Sequence, residues 1–343
     1  MRVTVRIFWV AIFLLVSPQT LAQWLHPPLA PLPDTIIQGG WLFDGFSDER
    51  RANPGILIRA GKIAELGVNP EDLSPATTRL IVLGKAETIL PGMFDLHAHY
   101  NLDLIDEGRV EEVIYNGALF LANGVTATWS AGEYYPERVI AQRDRIDAGE
   151  AIGPRLFASG PYFGAFRCEY SVKVAADECV GWPNDITEAE IRNEVDLWQR
   201  VGVSSIKIKQ ATADEMRIMI DQAHKHGMTT ASHLANYNVE YDVDLQAAIL
   251  MGLDRVEHQL TLGSGGERSA ELPEVIDLML EHEVYYDANL QMYGGINERR
   301  AHPDDMLWTN EAQYFTPYTQ ELLTARGDPP PESGAKEFAQ RER

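Results

Sequence analysis

The spacing of hydrophobic positions along this 343-residue chain changes at Pro91. Before it, short apolar pieces such as "GILIRAGKIAELG" and "RLIVLGKAETILPG" alternate with turn residues, which is typical of a small antiparallel β unit. After it, brief apolar runs alternate with longer segments of helical periodicity, and this indicates parallel α/β architecture. The strands predicted in this second part are residues 93–98, 125–129, 155–159, 203–208, 228–233, 254–258 and 283–290.

The segments between these strands predict helices. Thr187 followed by Glu190 forms the sequence of a capping box, which marks the start of one of them. No Gly-rich GxGxxG turn follows an early strand, which argues against a doubly wound sheet as the competing α/β fold. The predicted helices are residues 108–122, 135–149, 187–200, 212–226, 243–251 and 272–282.

The N-terminal segment has the pattern of an export signal. Arg2 and Arg6 precede an unbroken apolar run at residues 7–16, which is too short to span a bilayer, and "TLA" fits a cleavage site of small residues. We therefore expect a signal peptide at 1–22, a proline-rich leader at 23–34 and an exported protein, periplasmic or secreted. An uncleaved anchor is the alternative.

Two cysteines, Cys168 and Cys179, lie in "RCEYSVKVAADEC". In an oxidising compartment such a pair closes a loop as a disulfide, and two unpaired thiols are the alternative. The spacing is not that of a CxxC motif, so a zinc knuckle is not predicted.

The composition is strongly acidic, with 51 Asp and Glu against 29 Lys and Arg and a net charge of −22. An acidic field repels phosphate, so nucleic acid and anionic membranes are not expected as partners once the signal is removed. We therefore expect a small-molecule substrate. The sequence does not decide whether the protein forms oligomers.

Residues that can bind metal occur at the ends of predicted strands. Asp95, His97 and His99 alternate along the first of them, so all three side chains should face the same side. Two imidazoles two positions apart can bind one ion, with Asp95 behind them as an orienting carboxylate. Taken alone, an HxH pair is a modest signal.

Three later strands strengthen the prediction of a metal site. Lys207 lies at the end of "SSIKIK", His233 at the end of "TTASH" and His258 at the end of "DRVEH", one strand–helix unit apart. In a (β/α)₈ barrel the C-terminal ends of the strands form the active-site face. The pattern therefore predicts one metal site on that face.

The segments "PGMFDLHAH", "SIKI", "ASH" and "VEHQ", in this order, resemble the amidohydrolase superfamily, and within it the imidazolonepropionase/prolidase-like group. The N-terminal "GGWLFDG…ILIRAGKIAELG…PG" resembles the β-sandwich half that these enzymes carry. The resemblance implies an α/β fold with a TIM-like (β/α)₈ barrel, of which seven strands can be identified, at 91–343, and a small β-sandwich portion at 35–90.

The same resemblance implies a ligand set. His97 and His99 would bind one divalent metal ion and His233 and His258 a second, bridged by Lys207 after carboxylation by CO2. Lys209, two positions later, would lie on the same side of the strand as Lys207 and is the alternative bridging lysine. Histidine and carboxylate ligands suit zinc, with manganese and iron as alternatives.

The implied activity is hydrolysis of a carbon–nitrogen bond in an amide, cyclic amide or dipeptide by a hydroxide that bridges the two ions. A catalytically inactive barrel that binds metal or a ligand, or a deaminase with one metal ion, is the alternative.

The aspartate that transfers the proton in this family, after strand eight, is not found. Asp304, Asp305 and Asp328 follow no apolar β run, and Asp287 lies one strand early. The catalytic residue is therefore not assigned from the sequence. We also expect the natural gene to continue beyond Arg343 with the missing strand, a closing helix and more β-sandwich.

Overall fold

A computed structural model describes residues 33–73, 77–100, 110–133, 135–164, 182, 186–209, 211–234, 243–258 and 272–289. The chain divides into two compact units, Met1–Leu90 with Ala148–Ile152 and Pro91–Asp147 with Gly153–Arg343. The predicted signal peptide, Cys168 and Cys179, and the segment expected to lack an eighth strand lie outside the described residues. Within the described ranges, no helix is long and apolar enough to cross a membrane.

The first unit contains one five-stranded sheet. Its strands are β1 (Asp34–Leu42), β2 (Arg51–Ala52), β3 (Ile56–Arg59), β4 (Lys62–Leu66) and β5 (Thr78–Ile89). β1 pairs antiparallel with β2 and β3, and β3 pairs antiparallel with β4. β5, however, runs parallel to β1. The prediction of an antiparallel unit is therefore wrong for β5, because β2 to β4 supply the long crossover that a parallel pair requires.

The second unit alternates strands with helices. Its strands are β6 (Met93–Ala98), β7 (Val125–Ser130), β8 (Arg155–Phe157), β9 (Tyr162–Phe163), β10 (Ser205–Ile208), β11 (Thr229–Ser232), β12 (Arg255–Glu257) and β13 (Tyr285–Asp287). Its helices are α1 (Val110–Ala122), α2 (Pro136–Asp147), α3 (Glu188–Arg200), α4 (Ala213–Lys225), α5 (Leu245–Leu250) and α6 (Leu272–Glu281).

All strands of this unit pair in parallel, in the orders β6-β7-β8 and β13-β12-β11-β10-β9. The strand predicted at 155–159 ends at Phe157, and β9, which follows a few residues later, was not predicted. Gly160 has a φ of +73°, a left-handed conformation that interrupts an extended strand. Beyond Gly160, Pro161 still bridges Glu133 in the segment after β7, and the next two residues form β9 and pair with β10.

β10 shows how the sheet separates apolar from polar side chains. All four of its residues are buried. Ile206 and Ile208 belong to the main hydrophobic core, together with Val195 of α3 and Met219 of α4. Because side chains alternate along a strand, Lys207 lies on the face opposite these helices. A lysine is therefore buried on the inner face of the sheet.

The inner face also carries a smaller apolar cluster. Trp129, Ala131 and Ala231 are buried together, with Phe157 packed against them. Ala231 of β11 is the register partner of Lys207 in β10. A small residue at this position leaves space beside the long lysine side chain.

The start of α3 offers a test of local stability. Thr187 Oγ1 accepts a hydrogen bond from the Glu190 backbone N–H at 3.3 Å, and Glu190 Oε2 accepts one from the Thr187 N–H at 2.8 Å. We expect Thr187→Ala to lower the free energy of unfolding by about 1 kcal/mol, because one cap bond is lost. Thr187→Ser, which keeps the hydroxyl, is the matched control in urea denaturation. Equal losses for Ala and Ser would show that the hydroxyl does not stabilise the helix.

Candidate metal centre

The structure brings the four predicted histidines together on the inner face. The ring centroids of His97 and His99 are 5.1 Å apart, those of His97 and His258 4.6 Å, and those of His233 and His258 5.2 Å. Each residue lies near or just beyond the C-terminal end of its strand, as the sequence predicts. These four residues, with Lys207 and Glu257, are called the histidine cluster below.

Lys207 lies within this cluster. Its side chain is fully buried, and its Nζ contacts Glu257 Oε2. Burial lowers the pKa of Lys207 well below its ordinary value, and the charges of Lys209 and Arg255 act in the same direction. A lysine with a lowered pKa is more easily neutral, and the neutral amine is the form that reacts with CO2.

Lys209 occupies a different place. Its Nζ lies 4.5 Å from the centroid of the Tyr162 ring, and the Tyr162 ring in turn lies 6.4 Å from that of His99. The Lys209 backbone N–H donates to the carbonyl of Phe163 at 2.8 Å. The two lysines share one parity, but Lys207 is the one whose amine contacts the carboxylate of the histidine cluster.

Glu257 was not identified from the sequence. Its side chain is fully buried, with Oε1 3.2 Å from His97 Nδ1 and 3.0 Å from Arg255 Nη2. Strand alternation would place Glu257 and His258 on opposite faces. His258, however, has a φ of +68°, which ends the alternation and lets both neighbours reach the cluster. The sequence feature that could have identified Glu257 is its position directly before the predicted ligand His258.

Asp287, at the end of β13, also belongs to this region. It is the register partner of Glu257, and its carbonyl accepts a hydrogen bond from the His258 N–H at 2.8 Å. His97, Glu257 and Asp287 each offer one ligand atom, and the three atoms lie within 4.8 Å of one another. By its place in the sequence, Asp287 lies one strand too early for the family's aspartate, which follows strand eight.

Asp95, the orienting carboxylate that the sequence predicts, is bonded to the main chain of the HxH segment. Its Oδ1 accepts a hydrogen bond from the backbone N–H of His97 at 2.8 Å. Burial raises the pKa of Asp95, partly opposed by that hydrogen bond. Asp95 thus orders the main chain at the HxH segment, and the carboxylate beside the His97 ring is that of Glu257.

A glycine is required at position 132, beside the cluster. Gly132 has a φ of +91°, and a Cβ atom there would lie 2.4 Å from the Tyr162 ring. Its N–H donates to Ser159 Oγ at 2.8 Å. This close approach of backbone and ring holds Tyr162 between His99 and Lys209.

The donor set fits a divalent cation. Within the described part of the chain, Nδ1 of His99 and Nδ1 of His233 are buried and make no hydrogen bond. Burial lowers the pKa of His97, His99 and His233, and that of His99 to about 3. The charges of Lys207 and Lys209 also lower the pKa of His99 and His233. These imidazoles are therefore neutral at pH 7, the form that binds metal.

The lowered pKa values predict a pH dependence of stability. Unfolded histidine takes up a proton near pH 6.5, whereas folded His99 does so only near pH 3, so the unfolded state binds more protons between these values. The metal-free protein should therefore lose about 1.4 kcal/mol of unfolding free energy per pH unit from His99 alone as the pH falls below 6.5. Denaturant titrations at pH 7 and pH 5 measure this loss. His99→Asn should show a smaller loss, and equal losses would contradict the assignment.

The comparison with known proteins bears on the fold class and the family. The parallel strand–helix alternation makes this an α/β protein, and its likeness to solved hydrolase structures implies a TIM-like barrel. The chain belongs to the amidohydrolase family, whose pattern matches residues 88–311. A crystal structure of a Xaa-Pro dipeptidase with bound methionine in the active site is 21% identical, with a TM-score of 0.62 over 90% of this chain and 74% of that chain.

Two deacylases are also similar. The N-acyl-D-glutamate deacylase of Alcaligenes xylosoxydans xylosoxydans is 36% identical over 80 residues, which is 23% of this chain and 15% of that protein. The N-acyl-D-glutamate deacylase of Bordetella bronchiseptica, solved with zinc and a phosphonate inhibitor, is 19% identical, with a TM-score of 0.50 over 74% of this chain and 57% of that chain. The match to the curated relative thus spans a small part of its length.

Proposed function

We propose that this protein is a metal-dependent hydrolase that acts on a carbon–nitrogen bond of a small molecule, such as an amide, a cyclic amide or a dipeptide. The observation that carries the proposal is the convergence of four histidines, a fully buried lysine and a buried carboxylate at the ends of successive parallel strands. Membership of the amidohydrolase family supports it.

We propose the ligand set that the resemblance to the amidohydrolase family implies, and the closeness of the side chains supports it. His97 and His99 would hold one divalent cation, and His233 and His258 a second. Lys207, carboxylated by CO2, would lie between them, which its burial and its place in the cluster support. We favour zinc, which suits histidine ligands and is bound in the structure of the Bordetella deacylase. Bound divalent cations supply Lewis acidity, which polarises the scissile carbonyl and activates water.

The chain's own residues prepare the site for this chemistry. The buried imidazoles stay neutral at pH 7 and so keep their ring nitrogens available. Arg255, which donates to Glu257 Oε1, holds that carboxylate against His97 Nδ1. Asp287 supplies a carboxylate beside them that can take a proton from water and return it to the leaving amine.

Other features of the protein are proposed from its sequence. We propose that it is exported, that residues 1–22 are its signal peptide and that Cys168 and Cys179 form a disulfide. The apolar run at residues 7–16 and the paired cysteines support these proposals. The net charge of −22 supports a small-molecule substrate rather than nucleic acid.

A substrate screen tests the proposed activity. Zinc-loaded protein should free amino groups by hydrolysing members of at least one of three panels: N-acyl amino acids, dipeptides and cyclic amides. The same protein stripped with a chelator should release none, and zinc should restore the activity, because the cations polarise the carbonyl. Protein that binds its metal but hydrolyses no member of the panels would favour the alternative, a metal-binding barrel without catalysis.

A further inference from the structure

Two carboxylates beside the histidines are not used by the ligand assignment above. We propose that Glu257 and Asp287 bind, directly and together with His97, the cation of the His97–His99 pair. Each would use one carboxylate oxygen, so the second oxygen of Asp287 stays available for the proton transfer proposed above. This cation would then have carboxylate ligands from β12 and β13 and would not depend on carboxylation of Lys207. The inference rests on the proposed metal site, but it names ligands that the resemblance to the family does not supply.

The geometry suits one shared cation. The ligand atoms of His97, Glu257 and Asp287 lie within 4.8 Å of one another. Ligand atoms about 2.0–2.2 Å from one ion are at most about 4.4 Å apart. The three groups therefore need only a small side-chain adjustment to share an ion. The parallel register of Glu257 with Asp287 places both carboxylates at the same level of the sheet.

The charges also favour a cation at this point. Glu257 is fully buried, and Asp287 is its neighbour on the adjacent strand. Two carboxylates side by side repel each other, and Arg255 offsets only part of this repulsion when Lys207, whose pKa is lowered by burial, is neutral. Arg255 stacks on Trp129, with its Cζ 4.2 Å from the ring centroid, and donates to Glu257 Oε1. This arrangement fixes the orientation of the Glu257 carboxylate in advance of binding.

If Glu257 only positions His97 and does not bind the cation itself, the expected result is different. A carboxylate that only holds the Nδ1–H of a ligating histidine acts through the histidine, and its loss weakens the binding of every metal about 10–100-fold. In that case Asp287 would not take part. Direct ligation instead requires both carboxylates and favours a cation that prefers oxygen ligands, such as Mn²⁺.

The experiment uses the full chain, stripped of metal and titrated with Mn²⁺ alone in buffer depleted of CO2 and bicarbonate. Free Mn²⁺ is followed by electron paramagnetic resonance. We expect about one equivalent to bind, and both Glu257→Gln and Asp287→Asn to bind it at least about tenfold more weakly. Lys207→Met should retain this equivalent. Glu274→Gln and Asp277→Asn, the same chemical changes at exposed positions of α6, are the matched controls and should bind as the unaltered protein does.

Three results would overturn the inference. The first is binding by Glu257→Gln and Asp287→Asn that equals that of the controls. The second is a loss confined to Glu257→Gln, which would make Glu257 a positioning residue. The third is a requirement for bicarbonate in the unaltered protein. If Glu257→Gln fails to fold, as judged by circular dichroism, Asp287→Asn decides the question, because Asp287 is only partly buried. A failure of the proposed function would be seen separately, as metal-loaded protein without hydrolysis.

Discussion

Replacing His97 and His99 together by alanine is expected to remove at least one equivalent of bound metal and to reduce hydrolysis at least about a hundredfold. Residues that merely orient metal ligands already cost 10–100-fold when changed, so the ligands themselves should cost more. The rings of His97 and His99 are neighbours in the cluster, 5.1 Å apart, and burial lowers the pKa of both. Metal content by mass spectrometry and turnover of the best substrate measure the two effects.

The chain supplies its own control for this change. His224 and His226 form a second HxH pair, near the end of α4, and are bonded to Asp254 and Asp196. Replacing both with alanine removes the same atoms from a site that lies away from the histidine cluster. Metal content should then stay at the level of the unaltered protein. If the His97–His99 change also leaves the metal content unaltered, the proposed metal site is wrong.

Lys207→Ala is expected to have the second large effect, loss of the second metal equivalent and of activity. The change removes the amine that would become the carbamate between the two cations, while the cation held by Glu257 and Asp287 should remain. A short carboxylate such as propionate, added at millimolar concentration, should restore part of the metal and part of the activity, because it can occupy the space of the carbamate.

Lys209→Ala is the matched control for Lys207→Ala. Both lysines lie on the same side of the strand, but the amine of Lys209 lies over the Tyr162 ring and not against Glu257. Metal content should therefore be kept in Lys209→Ala. Loss of metal in Lys209→Ala but not in Lys207→Ala would show that the bridging role belongs to the other lysine.

Sequence patterns predicted the features that depend only on residues close together in the chain or on the common direction of parallel strands. The capping box at Thr187 marks the start of α3, which begins at Glu188. The position of Lys207 at the end of "SSIKIK" also agrees with the structure, where Lys207 lies in β10, which ends at Ile208. The histidines at equivalent strand ends could be grouped because parallel strands of one barrel end on one face.

The features that sequence patterns missed depend on backbone conformation or on pairing between distant segments. Glu257 reaches the cluster because His258 adopts a positive φ, which no periodicity signals. β9 was missed because it is only two residues long, follows the left-handed turn at Gly160 and is defined by its pairing with β10. β5 runs parallel to β1, and this depends on the path of the intervening strands rather than on either sequence. Asp95 bonds the backbone of its own strand, a choice that parity alone does not decide.

Metal content of the purified full chain tests the central claim most directly. The protein is purified without added metal or chelator, and its divalent metals are measured by mass spectrometry against protein concentration. The account predicts about two equivalents per chain, because the proposed function assigns two cations to the histidines and Lys207. One equivalent would favour a mononuclear deaminase. Folded protein that contains no metal, and takes up none when zinc is added, would contradict the account.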